Sequence, residues 1–374
     1  MELELTEVQE LLSSTAAKYI EEVCPLQKVR ELVDTDTGLP PRYIERAGEL
    51  GWFAMLVPEE QGGGGAPGEG IQNLATIAEQ RGRGLQPGPF VPMNVIAYLL
   101  ANRGTPQQQA EVLPAIVAGE TLATWAVSDP SGAWRPGTAV CAAIDGDGYV
   151  LSGEAGLVQD AGAAQLLLVT AGGPEGLSQF LVPTATPGVT VSLRKGHDIT
   201  QRMASVSFEG VRTERGSLVG TFGGAHDDVE AQLHLALVLS VAETIGAMDV
   251  LFEMARQYAI DRIAFGRPIG SFQAVKHQLA DLSLSLEAGK AISVAATRAL
   301  QAERTDAREI ARMAKAWVGD TGIDLAQGCF QVFGGIGYTW EHDMHLFLRR
   351  ITMNNLLFGQ PEFHREQICH DHGI

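Results

Sequence analysis

Residues 261–281 read DRIAFGRPIGSFQAVKHQLAD, and this stretch decides how the chain is built. It begins as the tail of one long apolar-striped helix and ends as the head of another. Between them Gly266, Pro268 and Gly270 force a turn, because glycine and proline punctuate helices. Arg262, Phe265, Arg267, Phe272 and Gln273 lie in or just after the break. Two guanidinium forks and an exposed ring at a turn suit a phosphate-bearing cofactor. A helix corner with solvated arginines is the plainer alternative.

Working outward, the segments 226–262, 270–302 and 305–334 each carry an apolar stripe with charges opposite, and a fourth helix follows at the carboxyl end. Together they predict a four-helix bundle over 225–374. Within it, QVFGGIGYT at 331–339 ends a helix on Gly334, Gly335 and Gly337. These glycines read either as a C-cap or as a place where backbone approaches a flat ligand closely. Upstream, from about residue 121, the hydrophobic period changes to two in TLATWAV, QLLLVTA, SQFLVP and ASVSFEGV, which predicts a middle β-barrel over 120–224. The segment IDGDGYVLSG is a hairpin signal. Helical periods at 5–23, 41–52, 70–82, 90–102 and 106–118 predict an amino-terminal helical domain over 1–119, with Thr6 capping the first helix. The run GGGGAPGEG at 62–70 reads as a surface loop. A phosphate cradle there would need a preceding strand and a following Lys-Ser/Thr, which this sequence lacks.

Composition limits the functions open to the chain. Of 374 residues 45% are apolar, enough for two or three packed modules, and the formal charge is −18, from 27 Lys plus Arg against 45 Asp plus Glu. A surface of that sign repels nucleic acid and anionic bilayers. Cys24, Cys141, Cys329 and Cys369 form no CxxC pair, so they read as scattered thiols in a reducing compartment. An acidic amino terminus and the lack of about 18 uninterrupted apolar residues lead to the expectation of a soluble cytoplasmic protein. No metal-ligand spacing is present; His364, His370 and His372 come closest and read as a frayed terminus.

The order helix, strand, helix, together with AVSDP, FGRPIGSFQAVKHQLAD and QVFGGIGYT, closely resembles the acyl-CoA dehydrogenase family over essentially the whole chain. The resemblance implies an α+β multidomain fold of amino-terminal helices, middle β-barrel and carboxyl-terminal four-helix bundle. It further implies bound FAD, an acyl-CoA substrate oxidised to a trans-2-enoyl-CoA, electron transfer to an electron-transferring flavoprotein, and a homo- or hetero-oligomer built as a dimer of dimers. By this resemblance Trp125, Val127 and Ser128 match the flavin-contacting strand. Arg262, Phe265 and Gln273 match residues that reach the FAD of a neighbouring subunit, with Gln331, Val332, Gly334 and Gly335 beside its pyrophosphate and adenosine.

Departures from the family pattern bear on catalysis. SGAWRP after AVSDP places Trp134 where a serine for the FAD phosphate is usual, and Leu157, Val158 and Gln159 stand where a Trp-Ile-Thr run is typical. The Glu-Gly pair that carries the base in many members is Phe358-Gly359 here, and the second family location for it is Ala236-Leu237. Glu243, two turns after Ala236 in apolar surroundings, is the remaining candidate base; a buried structural glutamate is the alternative. Glu362 matches a cofactor-contacting position instead. Two assemblies follow: an acyl-CoA dehydrogenase working with Glu243, or a degenerate subunit that lends cofactor contacts to a site on a different chain. A flavin-free scaffold is a third reading, which the FGRPIGSFQ and FGGIGYT segments oppose.

Overall fold

The structure is a computed structural model describing residues 4–64 and 69–374; residues 65–68 of the glycine run read as a loop lie outside the described residues. The chain opens with helices α1 (Glu7–Val23), α2 (Leu26–Leu32), α3 (Tyr43–Glu49), α4 (Gly70–Arg83), α5 (Phe90–Arg103), α6 (Pro106–Glu111) and α7 (Leu113–Val117). Thr6 caps α1, its hydroxyl accepting from Gln9 N while the Gln9 side chain accepts from Thr6 N in return. The single helix expected over 106–118 is two, because Pro114 removes an amide hydrogen just after Val112.

An eight-stranded mixed sheet follows. Its strands are β1 (Ala123–Ala126), β2 (Gly137–Asp145), β3 (Gly148–Gln159), β4 (Leu166–Gly173), β5 (Gly176–Pro183), β6 (Val189–Arg194), β7 (Met203–Glu214) and β8 (Leu218–Val219). The spatial order is β6-β7-β3-β2-β4-β5-β8, with β1 added in parallel beside β4. The expected hairpin turns between Asp145 and Gly148, with Gly146 at φ +63.

The third part is α8 (His226–Asp261), the short ribbon of β9 (Ile263–Ala264) and β10 (Arg267–Pro268), α9 (Gln273–Gln301), α10 (Ala307–Phe333), α11 (Met344–Leu356) and α12 (Pro361–Asp371). Where one carboxyl-terminal helix was expected there are two, separated at Gln360-Pro361. Helix α8 is long and apolar enough to cross a membrane by length and composition alone. However, 83% of its most apolar window is buried inside the protein, so it is a core helix. It crosses α4 closely: a Cβ at Gly82 would overlap the carbonyl of Glu243, and one at Gly246 that of Glu79. One hydrophobic core runs from the amino-terminal helices through α8 to β1 and α11, so the three parts meet around β1 and the end of α11.

Candidate functional site

Strand β1 is buried at every residue and holds its side chains by cross-strand bonds. Thr124 Oγ donates to Gln159 O at 2.6 Å and Trp125 Nε1 donates to Thr170 Oγ at 2.9 Å. Val127 is buried, and Ser128 bridges to Gly156. The chain then turns back on Asp129, whose Oδ1 accepts from Ser131 N, Ser131 Oγ and Ala133 N. Burial would push this carboxyl up, but those bonds outweigh it and hold it below the usual range.

This turn delivers Trp134 onto Trp125, with ring centroids 5.5 Å apart at 74°. From the other side Phe358 stacks on Trp125 at 6.3 Å and 27° and meets Trp134 at 6.4 Å and 66°. All three rings are buried. Phe358 adopts φ +60, costly for a side chain with a Cβ, and is followed by Gly359 at φ +96. A Cβ at Gly359 would press on Phe363 and His364. Leu157 covers Gly132 of the same turn, and Gln159 is buried with Oε1 lacking a partner among the described residues. A cavity of about 410 Å³ lies outside the aromatic triad, against Gly132, Arg135, Leu157, Gly359 and Phe363, and Trp134 forms its inner wall.

The corner at 262–273 has the opposite character. The β9–β10 ribbon turns at Phe265 and Gly266, with φ +52 and +78. Phe265 is 96% exposed and meets the edge of Phe272, while the Arg267 guanidinium sits 4.1 Å over the Phe272 ring. Arg262 and Gln273 are exposed. At the same end of the bundle Tyr258 stacks on Phe333 at 4.2 Å, which brings the end of α10 beside the end of α8. There Gln331, Gly334 and Gly335 are exposed and Val332 half-buried; a Cβ on either glycine would meet nothing within 4 Å. Thus the structure gathers Arg262, Phe265, Gln273, Gln331, Gly334 and Gly335 at one exposed end, beside an open groove of about 690 Å³. Among the described residues no hydrogen bond, ion pair or aromatic contact links that end to Trp125, Val127 or Ser128.

The structure places Glu243, the candidate base, in a buried ion pair, the setting that the alternative of a structural glutamate describes. Its Oε1 lies 2.6 Å from Nη1 of Arg350, which is wholly buried on α11. Arg350 Nε also pairs with Asp198 at 2.6 Å, Nη2 donates to Thr200 Oγ at 2.7 Å, and the carbonyls of Leu85 and Gln86 accept from it at 3.2 Å. Burial acts against the guanidinium charge, but the two carboxylates outweigh it and keep Arg350 protonated. Glu243 therefore balances a buried cation that joins the amino-terminal helices, the sheet and the bundle. The alternative positions remain without a carboxylate: Ala236 is buried in the core and Phe358 belongs to the aromatic triad. Sequence reading also placed His364 in a frayed terminus, whereas it is fully buried; His370 and His372 are exposed. It missed Asp160, a buried carboxylate next to Gln159 that burial pushes up to about 7 despite Arg81, Arg202 and Arg350 nearby.

Comparison with known proteins fits this geometry. The chain matches the family models of the acyl-CoA dehydrogenase N-terminal domain over residues 6–120 and the acyl-CoA dehydrogenase C-terminal domain over 227–371. It belongs to the acyl-CoA dehydrogenase family, whose members are oxidoreductases that bind FAD. It is 29% identical to the mitochondrial short-chain specific acyl-CoA dehydrogenase of Bos taurus, covering 97% of this chain and 89% of that one. It is likewise 29% identical to acyl-CoA dehydrogenase IpdE2 of Mycolicibacterium smegmatis, covering 97% of each. Among solved structures, one from the ChsE4-ChsE5 complex of Mycobacterium tuberculosis superimposes with a TM-score of 0.90 at 24% identity, over 100% of this chain and 99% of that one. A variant of the Tcur3481-Tcur3483 steroid acyl-CoA dehydrogenase gives 0.86 at 26% identity, over 97% of each.

Between β1 and the α11–α12 turn of this chain, Trp134 and Phe358 pack against Trp125. The exposed corner and the 331–335 turn present open surface.

Proposed function

We propose that this chain is a non-catalytic subunit of an FAD-dependent acyl-CoA dehydrogenase assembly, in which it lends Arg262, Phe265, Gln273 and the Gln331, Val332, Gly334 and Gly335 turn to a flavin seated on a homologous partner chain. The assembly's reaction is α,β-dehydrogenation of an acyl-CoA thioester to a trans-2-enoyl-CoA, with electrons passed to an electron-transferring flavoprotein in the cytoplasm. A dimer of dimers places each exposed corner against a partner. One observation carries this reading: Phe358, at the family's base position, stacks directly on Trp125 of the flavin-contacting strand, with Trp134 closing the side.

The side chains offered to the partner are suited to their task. Arginine forks match phosphate oxygens bidentately, and an exposed phenylalanine covers a flat ring. Phe265 in the left-handed region and almost wholly in solvent costs the free chain both backbone strain and exposed apolar area, which contact with a partner repays. That two structural relatives are described as two-component complexes supports the reading. The alternative, a dehydrogenase using its own flavin, needs a base that Glu243 does not supply while it pairs with Arg350. Expression with and without a homologous chain encoded nearby tests the choice. Alone, this chain should purify colourless and leave acyl-CoA unoxidised; with its partner it should give a yellow complex bleached by an acyl-CoA. A yellow, bleachable protein from this chain alone would overturn it.

A further inference from the structure

Beneath the Phe358–Gly359 turn lies a buried polar cluster that the site above does not use. Glu230 and His234 stand one turn apart on α8, Arg312 and Lys315 on α10, and His364 on α12. Lys315 Nζ donates to the carbonyls of Asn354 and Leu357, and His364 Nε2 donates to the carbonyl of Phe358 at 3.0 Å. The turn that seats Phe358 is thus held by three carbonyls. Arg312 Nη2 pairs with Glu230 Oε2 at 2.8 Å, and the Nδ1 hydrogen of His234 goes to Glu230 O.

These bonds fix the tautomers. A carbonyl only accepts, so His234 carries its proton on Nδ1 and His364 on Nε2. His234 Nε2 and His364 Nδ1 are then bare acceptors, and Arg312 Nη1 is a donor; none of the three has a partner among the described residues. The side chains are 1%, 0% and 6% exposed in the order His234, His364, Arg312. Burial, reinforced by the neighbouring cations, pushes both imidazoles down to about 3, so both stay neutral. Left unpaired, each such group costs roughly 1–3 kcal/mol.

We propose that Arg312 Nη1, His234 Nε2 and His364 Nδ1 enclose one buried water, which accepts from the guanidinium and donates to both imidazoles. The set of donors and acceptors selects this occupant. A cation is repelled by the guanidinium, and an anion is repelled by two imidazole lone pairs. Water, with two hydrogens and an accepting lone pair, satisfies all three atoms at once. It joins α8, α10 and α12 and, through His364, steadies the carbonyl of Phe358, which keeps the aromatic triad closed. The proposal rests on the closed turn and not on the identity of any partner subunit.

A crystal structure of the unmodified chain that orders internal waters decides it. The expected result is an isolated density peak within about 2.7–3.2 Å of all three nitrogens. A direct His234–His364 hydrogen bond, or no peak between them, would overturn the proposal. In solution, H234F and H364F each lose a carbonyl bond of their own but share one water, so the double variant should lower Tm by less than the sum of the two singles; strictly additive losses would overturn it. The seat itself is read by acrylamide quenching of Trp125 and Trp134 in a W52F/W317F/W340F background. Quenching should rise in H364F, and unchanged quenching would show that the cluster does not hold the triad shut. If the phenylalanine variants fail to fold, the density between the three nitrogens in the unmodified chain still decides between the outcomes.

Discussion

Glu243→Gln separates a structural glutamate from a catalytic one. In the native chain Glu243 Oε1 is 2.6 Å from Arg350 Nη1, with both groups buried and Asp198 as the second counter-ion. At an effective dielectric constant of about 20 two unit charges 4 Å apart interact by about 4 kcal/mol, which sets the scale of the charge interaction that the amide forfeits. The glutamine oxygen still accepts the Nη1 hydrogen and Asp198 still neutralises the guanidinium, so the net loss falls near that of a charge-assisted hydrogen bond, about 1.5–3 kcal/mol. Glu243→Ala also removes the acceptor and should cost about 3–5 kcal/mol. E243A/R350M, which removes both charges, should be less destabilised than E243A alone. Thermal denaturation of the isolated chain reads these differences, and acyl-CoA bleaching of the assembled complex gives the second readout. The expected outcome is a lowered Tm with bleaching retained by whatever complex remains folded. An E243Q protein with native Tm and abolished bleaching would refute the structural assignment and restore Glu243 as the base.

Other outcomes follow from particular residues. Phe358→Ala should leave a cavity among Trp125 and Trp134 and cost about 3–5 kcal/mol, measured by chemical denaturation. Phe265→Ala and Gly335→Val, both on open surface, should change the stability of the isolated chain by less than about 0.5 kcal/mol yet lower flavin retention by the complex, read by absorbance after dialysis. Asp160 binds its proton more tightly in the folded state, with a pKa of about 7 against the ordinary 3.8. Its contribution to stability is therefore fully present below about pH 4 and is lost as pH rises through about 7. Asp160→Asn should flatten that slope and raise stability at pH 8 by roughly 2–4 kcal/mol, measured by denaturation across pH.

The long helices were legible because an apolar stripe of period 3.6 repeats for 27 to 36 residues in α8, α9 and α10. The strands were legible from their period of two and their turn residues. Helix α2, seven residues long, carries too few repeats to declare itself. The exposed corner was legible too, since glycine and proline mark it locally. What sequence could not give was pairing at a distance. Arg350 meets Glu243, Asp198 and the carbonyl of Gln86 across 107, 152 and 264 positions, and no local pattern around any of them announces the partner. The same holds for Trp134 and Phe358: each looks like a lone departure from the family pattern until the fold sets the two rings against one another. His364 was misplaced because its helix α12 packs against α10, which no local pattern in the tail announces.

The most direct measurement is the ratio of flavin to protein chains in the complex purified with its partner, repeated with Arg262→Ala and Phe265→Ala introduced in this chain only. Half as many flavins as chains, with loss of flavin in those variants, is the expected result. A full complement of one flavin per chain, or retention unaffected by both variants, would contradict the claim that this subunit completes a neighbour's site while its own is closed.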